Sequence, residues 1–228
     1  MLNVRGICSG ALILLGLAGN IGILAAQTRD SSSQGDQDRP VAGGGMLPPG
    51  WSGRTDEGGD LQNVKFVTME PGYHLTLGPA TILYRETDRA KGPFHTLATF
   101  HQMKKLKHAE GYGLFFRGEN LAGGEQHYVY FLVRDDGKYL IKRREGANTS
   151  EITKGWTDSP AVKKGDARGR STNLLEIDAK QDPAKVSFKV NGTTVHTADA
   201  RTMNPNGIVG LRVNHNLDLQ VEGFDLHQ

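Results

Sequence analysis

Residues 127–144, His-Tyr-Val-Tyr-Phe-Leu-Val-Arg-Asp-Asp-Gly-Lys-Tyr-Leu-Ile-Lys-Arg-Arg, constrain the fold more than any other stretch. Aromatic and β-branched residues crowd both sides of Asp136-Gly137, a dipeptide suited to the positive-φ positions of a two-residue type I′ turn. The stretch therefore reads as a β-hairpin. With that turn, Tyr130 faces Arg143, Leu132 faces Ile141 and Arg134 faces Tyr139. Tyr128, Tyr130, Tyr139 and Arg143 then share one side of the ribbon, and Val129, Phe131, Val133 and Leu140 the other.

Around this hairpin the chain is strand after strand. Expected strands are 64–69, 73–77, 81–85, 94–102, 113–117, 173–178, 186–190, 193–196, 208–213 and 217–226. Glu70-Pro71-Gly72, Gly78-Pro79, Lys91-Gly92-Pro93, Asn191-Gly192 and Asn204-Pro205-Asn206-Gly207 punctuate them as turns. No segment keeps a helical period between two caps. Short strands at this spacing predict an all-β domain over 47–228, an antiparallel two-sheet β-sandwich or jelly roll, with a single closed barrel as the alternative.

The first 26 residues differ in kind. Arg5 precedes a short apolar run, Ala11 to Leu24, and Ala25-Ala26 offers small residues for cleavage, the pattern of a secretory signal peptide. The run falls short of the roughly 20 apolar residues of a spanning helix, and its glycines and Asn20 weaken it further. Residues 27–46 hold almost no large apolar side chain and are expected to form a flexible spacer. Cys8, the one cysteine, leaves with the leader, so no disulfide framework supports the mature domain. The sequence has 27 Lys and Arg against 25 Asp and Glu; loss of Arg5 leaves a net charge of +1. That balance argues against a nucleic-acid partner, which calls for a concentrated basic surface. The expected location is periplasmic or extracellular, without membrane insertion after cleavage.

Several segments, in order, resemble the concanavalin A-like lectin/glucanase superfamily. They are Gly111-Tyr-Gly-Leu-Phe-Phe-Arg117-Gly118, Tyr128-Val-Tyr-Phe-Leu-Val-Arg134, Asp136-Gly137-Lys-Tyr139, Trp156 with Ser159, Asn173-Leu-Leu-Glu-Ile-Asp178, Val186-Ser-Phe-Lys-Val-Asn191-Gly192 and Gly207-Ile-Val-Gly-Leu211. The order looks like laminin-G-like jelly rolls and the 3-keto-disaccharide hydrolase-like domains of secreted bacterial proteins. The resemblance implies two antiparallel sheets, one concave, and a binding surface on that sheet or its rim loops. Function must still be argued from the site.

Tyr128, Tyr130, Tyr139 and Arg143, joined by Arg117 and Trp156, form the candidate binding set. Aromatic rings pack on the C–H faces of sugars, and a guanidinium fork donates to hydroxyls. The alternative is that the tyrosines belong to the core. Glu176 and Asp178 are the catalytic candidates, since strand alternation puts both carboxylates on one face and retaining glycosidases use such a pair. Glucanases of the superfamily carry a further acid, whereas here Ala179-Lys180-Gln181 follows. Asp56 and Asp60 could line a structural calcium site, although they lack a defined loop spacing. The histidines show no metal-ligand spacing. The leading expectation is an exported, non-catalytic binder of a saccharide or cell-envelope polymer. The alternatives are a glycoside or 3-keto-disaccharide hydrolase and a structural or protein-interaction module.

Overall fold

A computed structural model describes residues 37–228. The leader and the first part of the spacer lie outside the described residues. The rest is a sandwich of two antiparallel sheets. The first holds, in spatial order, β1 (Ser52–Thr55), β4 (Thr81–Ala90), β14 (Gly207–Val213), β6 (Tyr112–Glu119), β7 (His127–Arg134), β8 (Lys138–Glu145) and β10 (Thr157–Asp158), with β9 (Asn148–Glu151) also paired to β8. The second runs β13 (Thr193–Asp199), β12 (Lys185–Val190), β11 (Ser171–Asp178), β5 (His95–Gln102), β15 (Asp218–His227), β3 (Gly72–Leu77) and β2 (Val64–Met69). One short helix, α1 (Ala200–Met203), follows β13.

Alternation along the strands builds the layer between the sheets. In β5, Ala98 and Phe100 point inward while His95, Leu97, Thr99 and His101 are less buried. Phe66, Leu75, Phe94, Phe131, Ile177, Phe188 and Val221 fill the same layer. Trp51 closes one end of it edge-on to Phe66, with the Arg85 guanidinium over its indole. The described part of the expected spacer lies against the sandwich. The Arg39 N–H donates to Asn216 Oδ1, and the Gly45 N–H to the Val64 carbonyl.

The two Xaa-Gly hairpins resolve differently. Asn191 and Gly192 both take positive φ (50° and 79°) between the paired residues Val190 and Thr193, the expected two-residue type I′ turn. At the opening hairpin the expectation is corrected. Arg134 pairs with Lys138, so Asp135, Asp136 and Gly137 form a three-residue loop in which Gly137 alone has positive φ. The Gly137 N–H donates to the Arg134 carbonyl, and the Arg134 guanidinium grips the Asp136 carboxylate. A left-handed backbone costs a non-glycine residue about 1–2 kcal/mol. The three-residue loop confines it to glycine.

That one-residue change transfers every β8 side chain to the opposite face. Tyr130 pairs with Lys142, Leu132 with Leu140, Val129 with Arg143 and Val133 with Tyr139.

Candidate functional site

The corrected register divides the expected binding set. Tyr139 and Arg143 fall on the side of β8 that faces the second sheet. The Tyr139 hydroxyl donates to the Val195 carbonyl, and Arg143 Nη2 to the Thr202 carbonyl. Tyr128 and Tyr130 lie on the outer face of the eight-stranded sheet, so the four residues do not form one surface. Arg117, at φ 59°, occupies the bulge that shifts register between Phe116 and Glu119. Trp156 does join the outer face, packing against its apolar cluster with the Arg134 guanidinium 4.4 Å from its ring centroid.

That face carries a second apolar layer of Ile82, Tyr84, Phe115, Leu121, Tyr128, Tyr130, Leu132 and Ile208. Tyr128 and Tyr130 are only 1% and 4% exposed. Their ring centroids are 5.7 Å apart, and Phe115 lies 5.3 Å from Tyr128. Phe115 has this place because its register partner is Gly210, where a Cβ would stand 2.5 Å from the Phe115 ring.

Polar groups converge on this aromatic floor. Arg212 alternates with Leu211 and Val213, which point into the core, so its side chain emerges on the outer face. Both terminal guanidinium nitrogens donate to Asp56, with Nη2 2.7 Å from Oδ2. Arg144, on β8, approaches the same carboxylate, Nη1 being 3.0 Å from Oδ1. Strands β6 and β7 separate β14 from β8. The two arginines therefore reach toward one another along the face, and the Arg212 guanidinium stands 5.7 Å from the Tyr130 ring centroid.

Electrostatics follow from this packing. Burial alone would push the Asp56 carboxyl up, but Arg212 and Arg144 together outweigh it and hold the group below the ordinary carboxylate range. Burial works against the charge of Arg212, and Asp56 more than restores it. The Tyr128 phenol is raised, chiefly by burial. Arg144 lies near enough to that hydroxyl to counteract the rise, without an aligned hydrogen bond between them.

Arg212 and Arg144 were not among the residues expected from sequence. The available signal was a lone arginine inside the apolar strand Gly207-Ile-Val-Gly-Leu-Arg-Val213. Asp56, a calcium candidate by sequence, has both carboxylate oxygens engaged by guanidinium groups. Asp60 Oδ1 accepts from the Gln62 N–H. Among the described residues no group of three or more His, Cys, Asp and Glu could hold a metal ion.

Glu176 and Asp178 share a face, as alternation requires, but it is the outer face of the other sheet. Glu176 Oε2 is 3.0 Å from His95 Nε2. Asp178 accepts from Lys189 Nζ at 2.8 Å and from the N–H groups of Lys180 and Gln181. Burial raises the Asp178 carboxyl, but these hydrogen bonds prevail and hold it low.

The two-sheet architecture is an antiparallel β-sandwich, a fold that solved structures share. The carbohydrate binding module CBM66 from Bacillus subtilis superposes with a TM-score of 0.56 at 14% identity, over 80% of this chain and 99% of that one. The GH43 protein BlXynB from Bacillus licheniformis gives 0.46 at 12% identity, over 79% of this chain and 37% of that one. Sheep galectin-11 gives 0.42 at 12% identity, over 61% and 92%. No family model and no curated protein sequence matches the chain.

Proposed function

We propose that this chain is an exported, non-catalytic β-sandwich that binds a saccharide or cell-envelope polymer on the outer face of the eight-stranded sheet. The observation that carries this reading is the Arg212–Asp56–Arg144 network laid over the Tyr128 and Tyr130 rings. The Tyr128 and Tyr130 rings are buried and support the network from below, so the polar groups at its solvent edge, which can meet sugar hydroxyls, carry the reading. Guanidinium groups supply the donors, and the Asp56 carboxylate, about one-third exposed (32%), supplies an acceptor at the solvent edge. The fold shared with CBM66, which is a carbohydrate binding module, supports the ligand class. Export rests on the composition of residues 1–26.

A glycosidase reading through Glu176 and Asp178 has less support, since Glu176 lies against His95 and Asp178 is paired with Lys189. A general acid needs a carboxyl raised in pKa, whereas Asp178 is held low.

A glycan array followed by calorimetric titration tests the binding reading. Asp56→Asn and Arg144→Gln are expected to weaken binding at least tenfold while the circular dichroism spectrum stays native. Folded variants that bind as tightly as the parent would overturn it.

A further inference from the structure

A cavity of about 360 Å³ opens on the other sheet, where β5 ends and β11 begins. Its size falls at the lower end of the ~300–1,000 Å³ usual for small-molecule sites. His101, Met103, Asp166, Arg170 and Thr172 line it. His101 alternates with the core residue Phe100, so its side chain lies on the outer face of the seven-stranded sheet. Thr172 is its register partner, and His101 Nδ1 stands 2.9 Å from the Thr172 hydroxyl.

The walls are held in place by the protein itself. Asp166 Oδ1 accepts from the N–H groups of Arg168 and Arg170, and the Asp166 N–H donates to the Arg170 carbonyl, which fixes the loop 166–170. Gly169, at φ 75°, lies so close to the segment after β5 that a Cβ there would stand 2.2 Å from the Lys105 Cα. A ligand entering such a site has little loop ordering to offset.

The charges that line the cavity are matched. Arg170 donates through Nε and Nη2 to Asp166 Oδ2, and His101 Nε2 is 3.4 Å from Glu222 Oε1. Lys104, next to Met103 in the chain, is held by Asp218 at 2.8 Å. Lys105 and Arg168 are exposed cations of the same segments, but they do not line the cavity. The cavity therefore offers hydrogen bonding without a surplus of charge. The Arg170 and Asp166 side chains are 53% and 45% exposed, so a ligand reaches them from solvent. Arg170 Nη1 has no acceptor among the described residues, the Asp166 carboxylate and the exposed Thr172 hydroxyl have lone pairs to offer, and the exposed Met103 presents an apolar thioether.

We infer that this cavity is a second saccharide subsite, which takes a neutral sugar residue with its hydroxyls on Arg170, Thr172 and Asp166 and its C–H edge on Met103. This rests on the saccharide-binding reading above and adds a site on the opposite sheet, so that one domain presents two separate binding faces.

The test follows the backbone amide signals of the purified, isotope-labelled chain by nuclear magnetic resonance as short neutral oligosaccharides of glucose, galactose, mannose and xylose are added. At least one is expected to shift the signals of 101–103 and 166–172 saturably. Thr172→Trp fills the cavity with a residue that strands accommodate, and Arg170→Gln removes the free donor; each should weaken that response about tenfold. A cavity response that both variants leave intact overturns the assignment. A response there to galacturonate or phosphate, with none to the neutral sugars, overturns the neutral class. Shifts confined to the surroundings of Asp56 and Arg144 overturn the second subsite and leave the saccharide-binding reading standing. No shift with any sugar, together with no binding on the glycan array, overturns both.

Discussion

Arg212 and Asp56 join through paired guanidinium–carboxylate hydrogen bonds although 156 residues separate them in the chain. The pair ties the segment after β1 to the central strand β14 and orients the polar layer over Tyr128 and Tyr130. Removing the acid leaves a buried guanidinium without its main counterion. Breaking a fully buried pair from one side costs about 3–5 kcal/mol, and partial exposure of Asp56 reduces that. Asp56→Ala should destabilise the fold by about 2 kcal/mol in urea unfolding. Loss of less than a few tenths of a kcal/mol would mean the pair is solvated in the working protein.

The same pair sets a pH dependence. The folded-state pKa of Asp56 lies below its unfolded reference of 3.8. Its contribution is therefore fully present above that reference and is lost as pH falls through the lower, folded value. Asp178 acts in the same direction. Unfolding free energy should decline below about pH 4, and less steeply in Asp56→Asn. Parallel profiles for parent and variant between pH 5 and 2 would rule out this linkage.

Gly210 gives a geometric test of the outer layer. An added Cβ would stand 2.5 Å from both the Leu83 carbonyl oxygen and the Phe115 ring. Gly210→Ala should cost about 3 kcal/mol and disturb the near-ultraviolet signal of the tyrosines beside Phe115. An unchanged spectrum and melting temperature would place Phe115 elsewhere.

The hairpin turns make separable predictions. Gly137→Ala forces a Cβ into positive φ and should cost about 1–2 kcal/mol, whereas Asp136→Ala should cost less because Asp136 keeps an ordinary backbone. The reverse order in chemical denaturation would restore the two-residue turn.

Asn191 combines a turn with a bracing role. Its side chain accepts from the Leu174 N–H and donates to the Ala161 carbonyl and to Asn173 Oδ1. Asn191→Gly keeps the backbone freedom but loses those bonds. At about 1 kcal/mol each, stability should fall by about 2–3 kcal/mol. A neutral outcome would reduce Asn191 to a turn residue.

Much of the fold was legible because strand signals are local. Val64–Met69 matches its expected span, and Asn191-Gly192 forms the expected turn, since alternation and positive-φ preference act between neighbours in sequence. The hairpin at 127–144 was legible as a hairpin, yet its faces were not. Asp135-Asp136-Gly137 admits loops of two lengths, and the choice depends on the Arg134–Asp136 contact and on what each face meets across the sandwich.

The candidate site divides along the same line. The sequence alone determined an all-β chain and the aromatic character of β7. Tertiary structure alone brought Arg212 from β14 and Arg144 from β8 to the carboxylate of Asp56, in the segment after β1, and sent Tyr139 and Arg143 to the other side. Residue types and short-range periodicity fix whether a strand forms. Which side chains share a charged, water-poor surface depends on register and strand order, and these are set by contacts between residues far apart in the chain.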